Sequence, residues 1–131
     1  FANGLKNLNI KFAWIVNSED GLDEISPYAK TNVVQLKNGQ LSDIIINPRD
    51  LNINAENFSN LLGDDSKFNA NKIIEIFTGK DNDFSKAVCL NAAAGLIVSE
   101  KHNDFNKAYI NAREHILNGN AFKHLTDIQN G

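Results

Sequence analysis

Methionine is absent from the 131-residue chain, which begins at Phe1. Translated chains start with methionine, so this absence predicts a piece of a longer polypeptide. Cysteine is nearly absent as well. The single Cys89 excludes an intramolecular disulfide and a cysteine zinc cluster, and fits the reducing cytoplasm better than a secreted scaffold. Positive charge is in slight deficit: 13 Lys and Arg face 16 Asp and Glu, for a formal net charge of -3. No basic footprint therefore directs the chain to nucleic acid. No apolar run approaches the ~20 residues of a membrane span. The N-terminal residues also lack the charged head and apolar stretch of a signal peptide.

What remains is ordinary globular chemistry, with 42% hydrophobic and 22% charged residues. A chain of this length forms one compact domain and buries about two-thirds of its unfolded surface. Asparagine makes up roughly a sixth of the sequence. Its scatter along the chain points to a coding bias rather than a low-complexity segment.

Apolar patterning changes near the middle, and the pattern predicts an α/β fold. Strands are expected at about 12–16, 31–36 and 41–46, and helices at about 69–78, 84–99, 104–118 and 121–128. Phe12-Ala13-Trp14-Ile15-Val16 is a continuous apolar run, which suits a strand buried on both faces as in a parallel sheet. Asn38-Gly39 between two β-branched runs is a strong hairpin signal, and Pro48 closes the second arm. Ala70, Ile73, Ile74 and Phe77 follow helical spacing up to Gly79. Asp83 is the expected cap of the next helix, whose segment from Ala87 to Val98 is apolar on every side and reads as buried. The helix after it places Phe105, Ala108, Tyr109, Ala112 and Ile116 on one face and stops at Asn118-Gly119.

Glycine-rich phosphate loops, nucleophile elbows and HExxH are all missing. His102, His115 and His124 have no metal-ligand spacing and read as surface residues. Cys89, inside the apolar helix, reads as a small hydrophobe. Asn91, the one polar side chain there, is expected to hydrogen-bond the backbone of a neighbouring element.

The chemistry concentrates in Glu19-Asp20-Gly21-Leu22-Asp23-Glu24-Ile25-Ser26, which holds four carboxylates in six residues. If the preceding strand is parallel, this loop lies outside its carboxyl end, where open α/β sheets bind ligands. On a loop, adjacent Asp23 and Glu24 can both turn to one cation. Magnesium suits such a pair, because it takes one or two protein carboxylates and leaves its other positions to water and substrate phosphates. On residue chemistry alone, a solvated acidic turn explains the stretch equally well.

The stretch Asp20-Gly21-Leu22-Asp23-Glu24-Ile25-Ser26 after an apolar strand resembles the signature of anthranilate phosphoribosyltransferases. The similarity continues in order through Asn47-Pro48-Arg49-Asp50-Leu51, Leu61-Leu62-Gly63-Asp64-Asp65, Asn69-Ala70-Asn71, Phe77-Thr78-Gly79 and Leu90-Asn91-Ala92-Ala93-Ala94. It covers nearly the whole chain. Asn17-Ser18 stands where many members have His-Gly, and Asp64 replaces the second glycine of a turn.

The resemblance implies the C-terminal part of a nucleoside phosphorylase/phosphoribosyltransferase-like α/β domain, with residues 1–131 as one partial domain. It implies transfer of the phosphoribosyl group of phosphoribosyl pyrophosphate to anthranilate in cytoplasmic tryptophan biosynthesis. Asp23 and Glu24 would anchor Mg2+, with Glu24 contacting two ions and Asp20 and Ser26 behind them. The family's diphosphate loop, anthranilate pocket and helical homodimerisation domain have no counterpart here. The chain alone is therefore expected to be inactive, with no catalytic or other cofactor-binding residue of its own. The alternatives are a pyrimidine nucleoside phosphorylase-like enzyme and a non-catalytic module that binds a divalent cation or a partner. Neither a membrane nor nucleic acid is an expected partner.

Overall fold

A computed structural model describes residues 1–55 and 57–131. Strands β1 (Phe12–Ser18), β2 (Thr31–Lys37) and β3 (Gln40–Ile46) form one antiparallel sheet in the order β1-β2-β3. Helices α1 (Ala2–Asn7), α2 (Ser66–Phe77), α3 (Asp83–Val98), α4 (Phe105–Leu117) and α5 (Asn120–Asn130) accompany it, with short 3₁₀ turns at Pro48–Leu51 and Phe58–Leu61. The architecture is α/β, as expected. Among the described residues no helix is long and apolar enough to cross a membrane.

The β2–β3 hairpin turns at Asn38 and Gly39, with φ of 50° and 78°. These left-handed values match the twist of the flanking strands. β1 departs from expectation. It is paired antiparallel with β2, from Phe12↔Lys37 to Ser18↔Thr31, and its apolar residues are half-buried. An unbroken apolar run reads the same whether both faces are covered or only one is tightly packed. Phe12, Trp14 and Val16 pack against the core, and alternation puts Ala13 and Ile15 on the opposite face. Trp14 is held across the sheet by its indole N–H to Gln35 Oε1 (3.0 Å) and packs against Phe105 of α4, ring centroids 5.7 Å apart. On the other face Leu36 is fully buried, and α1, which the sequence pattern did not suggest, lies against β2.

The helical half builds the main core. The cap of α3 is Asn82, one residue earlier than expected: Asn82 Oδ1 accepts the Ser85 N–H, and Ser85 Oγ accepts the Asn82 N–H, both at 2.9 Å. This reciprocal arrangement satisfies two otherwise unpaired donors and leaves the Asp83 carboxylate for another task. Leu90, Ala93 and Ile97 of α3 share the core cluster with Ala108, Tyr109, Ala112 and Ile116 of α4. Small residues at that seam let the two helix backbones approach closely.

Burial of α3 is one-sided, not complete. Val88, Ala92 and Gly95 remain exposed, and they line an open groove of about 490 Å³ together with Phe77, Leu96, Ile116 and Ala121. An all-apolar helix signals that every side can be covered; here the described residues cover only part of it.

Cys89 lies on the covered side, and burial pushes its thiol up to about 11. Alkylation by iodoacetamide at pH 8 should therefore be at least tenfold slower in the folded chain than in guanidinium, because the thiolate is the nucleophile. Equal rates by mass spectrometry would contradict this packing.

Candidate functional site

The acidic loop connects β1 to β2 and is wired internally. The Ser18 N–H donates to Leu22 O (3.1 Å), the Gly21 N–H to Ser18 O (3.1 Å) and the Glu19 N–H to Lys30 O (2.9 Å). Gly21 sits at φ 91°, where a side chain would be strained. Asp20 holds the interior of the loop: Oδ2 accepts the Ser26 hydroxyl at 2.5 Å, and Oδ1 accepts the Leu22 N–H at 3.3 Å. Ser26 Oγ in turn accepts the N–H groups of Tyr28 (2.9 Å) and Ala29 (3.3 Å), while the Ser26 N–H donates to Thr31 Oγ1 (3.2 Å). Burial alone would raise the Asp20 pKa. Hydrogen bonds from Ser26, Ser18 and Leu22 outweigh it and hold the carboxyl below its ordinary range.

Asp20 and Ser26 thus shape the turn, whereas Asp23 and Glu24 project from it. Both are exposed. Among the described residues neither has a side-chain hydrogen bond or an ion-pair partner, although the protein's other ion pairs are well defined. They line an open cleft of about 520 Å³, whose remaining wall is mostly apolar: Leu22, Ile25, Leu61, Phe84, Ala87 and Val88, with Asn91 as its one amide. Because β1 and β2 are antiparallel, the cleft is made by a strand connection laid over α3, not by the open end of a parallel sheet.

The donor chemistry fits one hard cation class. Among the described residues no group of three His, Cys, Asp or Glu side chains could hold a metal by itself. Two adjacent carboxylates with free oxygens match magnesium, which keeps several positions for water and phosphate. His115 and His124 are exposed and His102 half-buried, all outside this cleft.

Two polar arrangements fix the loop to the helical half. Asn91 of α3 accepts the Ile25 N–H at Oδ1 (3.0 Å), and its Nδ2 donates to Ile25 O (3.1 Å) and to Ala87 O (3.0 Å). The expectation of a backbone partner is met, and the partner is the residue after Glu24. The second arrangement had no signal in the sequence. Asp83 Oδ2 accepts the Tyr28 hydroxyl (3.0 Å) and the Asn60 amide (2.9 Å), and Oδ1 accepts Lys86 Nζ (2.9 Å). An Asp in a first helical turn ordinarily reads as a cap or a dipole partner. Only the fold brings Tyr28 and Asn60 to it.

Comparisons with known proteins agree with the fold. The family profile described as "Glycosyl transferase family, a/b domain" matches residues 1–122. An anthranilate phosphoribosyltransferase of Pelagibacter ubique (strain HTCC1062) is 70% identical over 130 residues, covering 99% of this chain and 39% of that relative. The chain thus spans about two-fifths of the length of the relative it matches. The Saccharomyces cerevisiae anthranilate phosphoribosyltransferase solved with PRPP and Mg superposes with a TM-score of 0.75 at 28% identity, over 86% of this chain and 33% of that one. The Thermus thermophilus enzyme shares the fold, with a TM-score of 0.85 at 23% identity over 96% of this chain and 37% of its own.

Proposed function

Since the chain belongs to the glycosyl transferase family defined by its a/b domain, we propose that it is the C-terminal segment of an anthranilate phosphoribosyltransferase. The complete protein would join the anthranilate amine nitrogen to C1 of the ribose of phosphoribosyl pyrophosphate. The bond from C1 to the pyrophosphate oxygen breaks, and the amine proton passes to solvent. The observation that carries this reading is the pair Asp23 and Glu24, exposed on one cleft and, among the described residues, without a hydrogen-bond or ion-pair partner, beside a turn that Asp20 and Ser26 hold in shape.

In this reading Asp23 and Glu24 would hold Mg2+, with Glu24 the better candidate for contacting more than one ion. Bound magnesium supplies electrostatic stabilisation of the charge that collects on the departing diphosphate. Asp20 and Ser26 keep the turn in shape so that both carboxylates stand at the cleft, beside a wall of Leu61, Phe84, Ala87 and Val88. No side chain of this segment is needed as a general base. The remaining parts (diphosphate loop, anthranilate pocket and the homodimer surface) lie in the rest of a cytoplasmic parent.

The test completes the protein. The 131 residues are joined in register to the remaining portion of the Pelagibacter ubique relative, and formation of phosphoribosyl-anthranilate is followed with and without Mg2+. The completed enzyme should turn over in a Mg2+-dependent manner, and the isolated chain should not. Absence of turnover in a folded completed enzyme, or turnover by the isolated chain, would overturn this assignment.

A further inference from the structure

The contact between Asn91 and Ile25 does more than tie a loop to a helix. The two residues are 66 positions apart, yet one amide group engages both the N–H and the C=O of a single residue, as a neighbouring β-strand would. Ile25 is 1% exposed, so neither main-chain group could turn to water, and both need a partner. The amide's own orientation is set as well. Nδ2 faces two carbonyl oxygens, Ile25 O and Ala87 O, which only its two hydrogens can satisfy.

The consequence falls on Glu24. The Ile25 N–H and the Glu24 carbonyl belong to one planar peptide unit. Fixing the N–H at 3.0 Å from Asn91 Oδ1 fixes that plane, and with it the Glu24 Cα from which the carboxylate projects. Glu24 has no other anchor: its side chain is exposed and makes no hydrogen bond or ion pair among the described residues. Asn91 also lines the cleft that Asp23 and Glu24 line, but its amide hydrogens are already engaged by protein carbonyls.

We propose that Asn91 is a positioning residue for Glu24, presenting the carboxylate to the metal by clamping the peptide that follows it. This rests on the reading of Asp23 and Glu24 as the magnesium anchors, and the experiment separates the two. In the completed enzyme, Mn2+ alone is titrated and binding is read from water-proton relaxation, for wild type, Glu24→Gln, Asn91→Ala and Leu90→Ala. Leu90 is fully buried one position away, so Leu90→Ala reports the effect of destabilising α3 without touching the clamp. The expected result is a dissociation constant raised about tenfold in Asn91→Ala, the size seen when a group supporting a metal ligand is removed. Leu90→Ala should stay within twofold of wild type while losing more thermal stability. Should Asn91→Ala fail to fold, Asn91→Asp carries the same comparison: it keeps the acceptor for the Ile25 N–H but sets a carboxylate against two carbonyls. If Glu24→Gln leaves Mn2+ binding unchanged, the metal reading itself falls. If Glu24→Gln weakens binding while Asn91→Ala does not, or does so no more than Leu90→Ala, the positioning role is overturned.

Discussion

Replacing Glu24 by Gln in the completed enzyme is expected to lower kcat/KM for phosphoribosyl pyrophosphate by roughly 100-fold or more, about 2.7 kcal/mol of transition-state stabilisation. The substitution keeps the size and planarity of the side chain and removes only its charge. A neutral amide oxygen is a weaker ligand for Mg2+ than a charged carboxylate, so the loss follows charge rather than shape. Asp23→Asn should lose less, about tenfold, because in the proposed reading Glu24 would contact both ions and Asp23 only one. Stability should hardly move. Glu24 is exposed and has no ion-pair partner among the described residues, and substitutions at such sites usually stay within about 0.5 kcal/mol. The measurement is a pair of numbers for each variant, kcat/KM and the urea midpoint. Near-wild-type turnover would remove Glu24 from the site. A shifted midpoint would mean that the carboxylate has a structural duty.

The second large effect is on stability. Asp83→Ala should cost about 3 kcal/mol, read as a lowered urea midpoint at unchanged slope. The Asp83 carboxylate is 7% exposed and accepts three side-chain donors, Tyr28, Asn60 and Lys86. Removing an acceptor from a buried, charge-bearing network strands its donors. The cost stays at the lower end of that range because the single hydrogen of the Tyr28 hydroxyl, shared between Asp83 and Asn57 O, can turn fully to the carbonyl at 2.7 Å, and Lys86 keeps Asn54 O at 2.8 Å.

The pH dependence has a definite sign. Burial by itself would raise the Asp83 pKa, and the bonds from Asn60, Lys86 and Tyr28 more than offset it, so the folded value lies below the ordinary one. A depressed folded pKa contributes stability above the unfolded value, and that contribution is lost as pH falls through the folded pKa. The gap between wild type and Asp83→Asn should therefore be constant near neutrality and shrink below about pH 4. A gap that is the same at pH 3 and pH 7 would mean that charge has no part in the network.

Much of the fold was legible because it is local. Asn38-Gly39 announces its own turn, and the spacing of Ala70, Ile73, Ile74 and Phe77 announces its own helix. Asp23 and Glu24 were legible as a chemical type. What escaped was relational. The run from Phe12 to Val16 does not say which strand it will pair with, because apolar continuity is common to both sheet types. Asn82 and Asp83 are both good caps, and only the reciprocal bonds with Ser85 decide between them. Asp83 meets Tyr28 55 positions away, a distance over which no spacing rule operates. Asn91 lay between these cases: a lone amide in an apolar helix must find a partner, but nothing in the sequence says that the partner is Ile25.

The long reach of that amide also bears on the order in which the molecule is made. The three strands follow one another along the chain, and the turn from Ser18 to Thr31 closes over few residues. The Asn91 bridge to Ile25 encloses 66. The chain entropy of closure grows with the logarithm of loop length, so the bridge costs roughly 1.4 kcal/mol more than the turn before any contact compensates it. Local pairings of this kind are favoured early and distant ones late. The sheet and the local bonds of the acidic turn can thus form first, and by the clamp proposed above Glu24 takes up its final direction only when α3 docks.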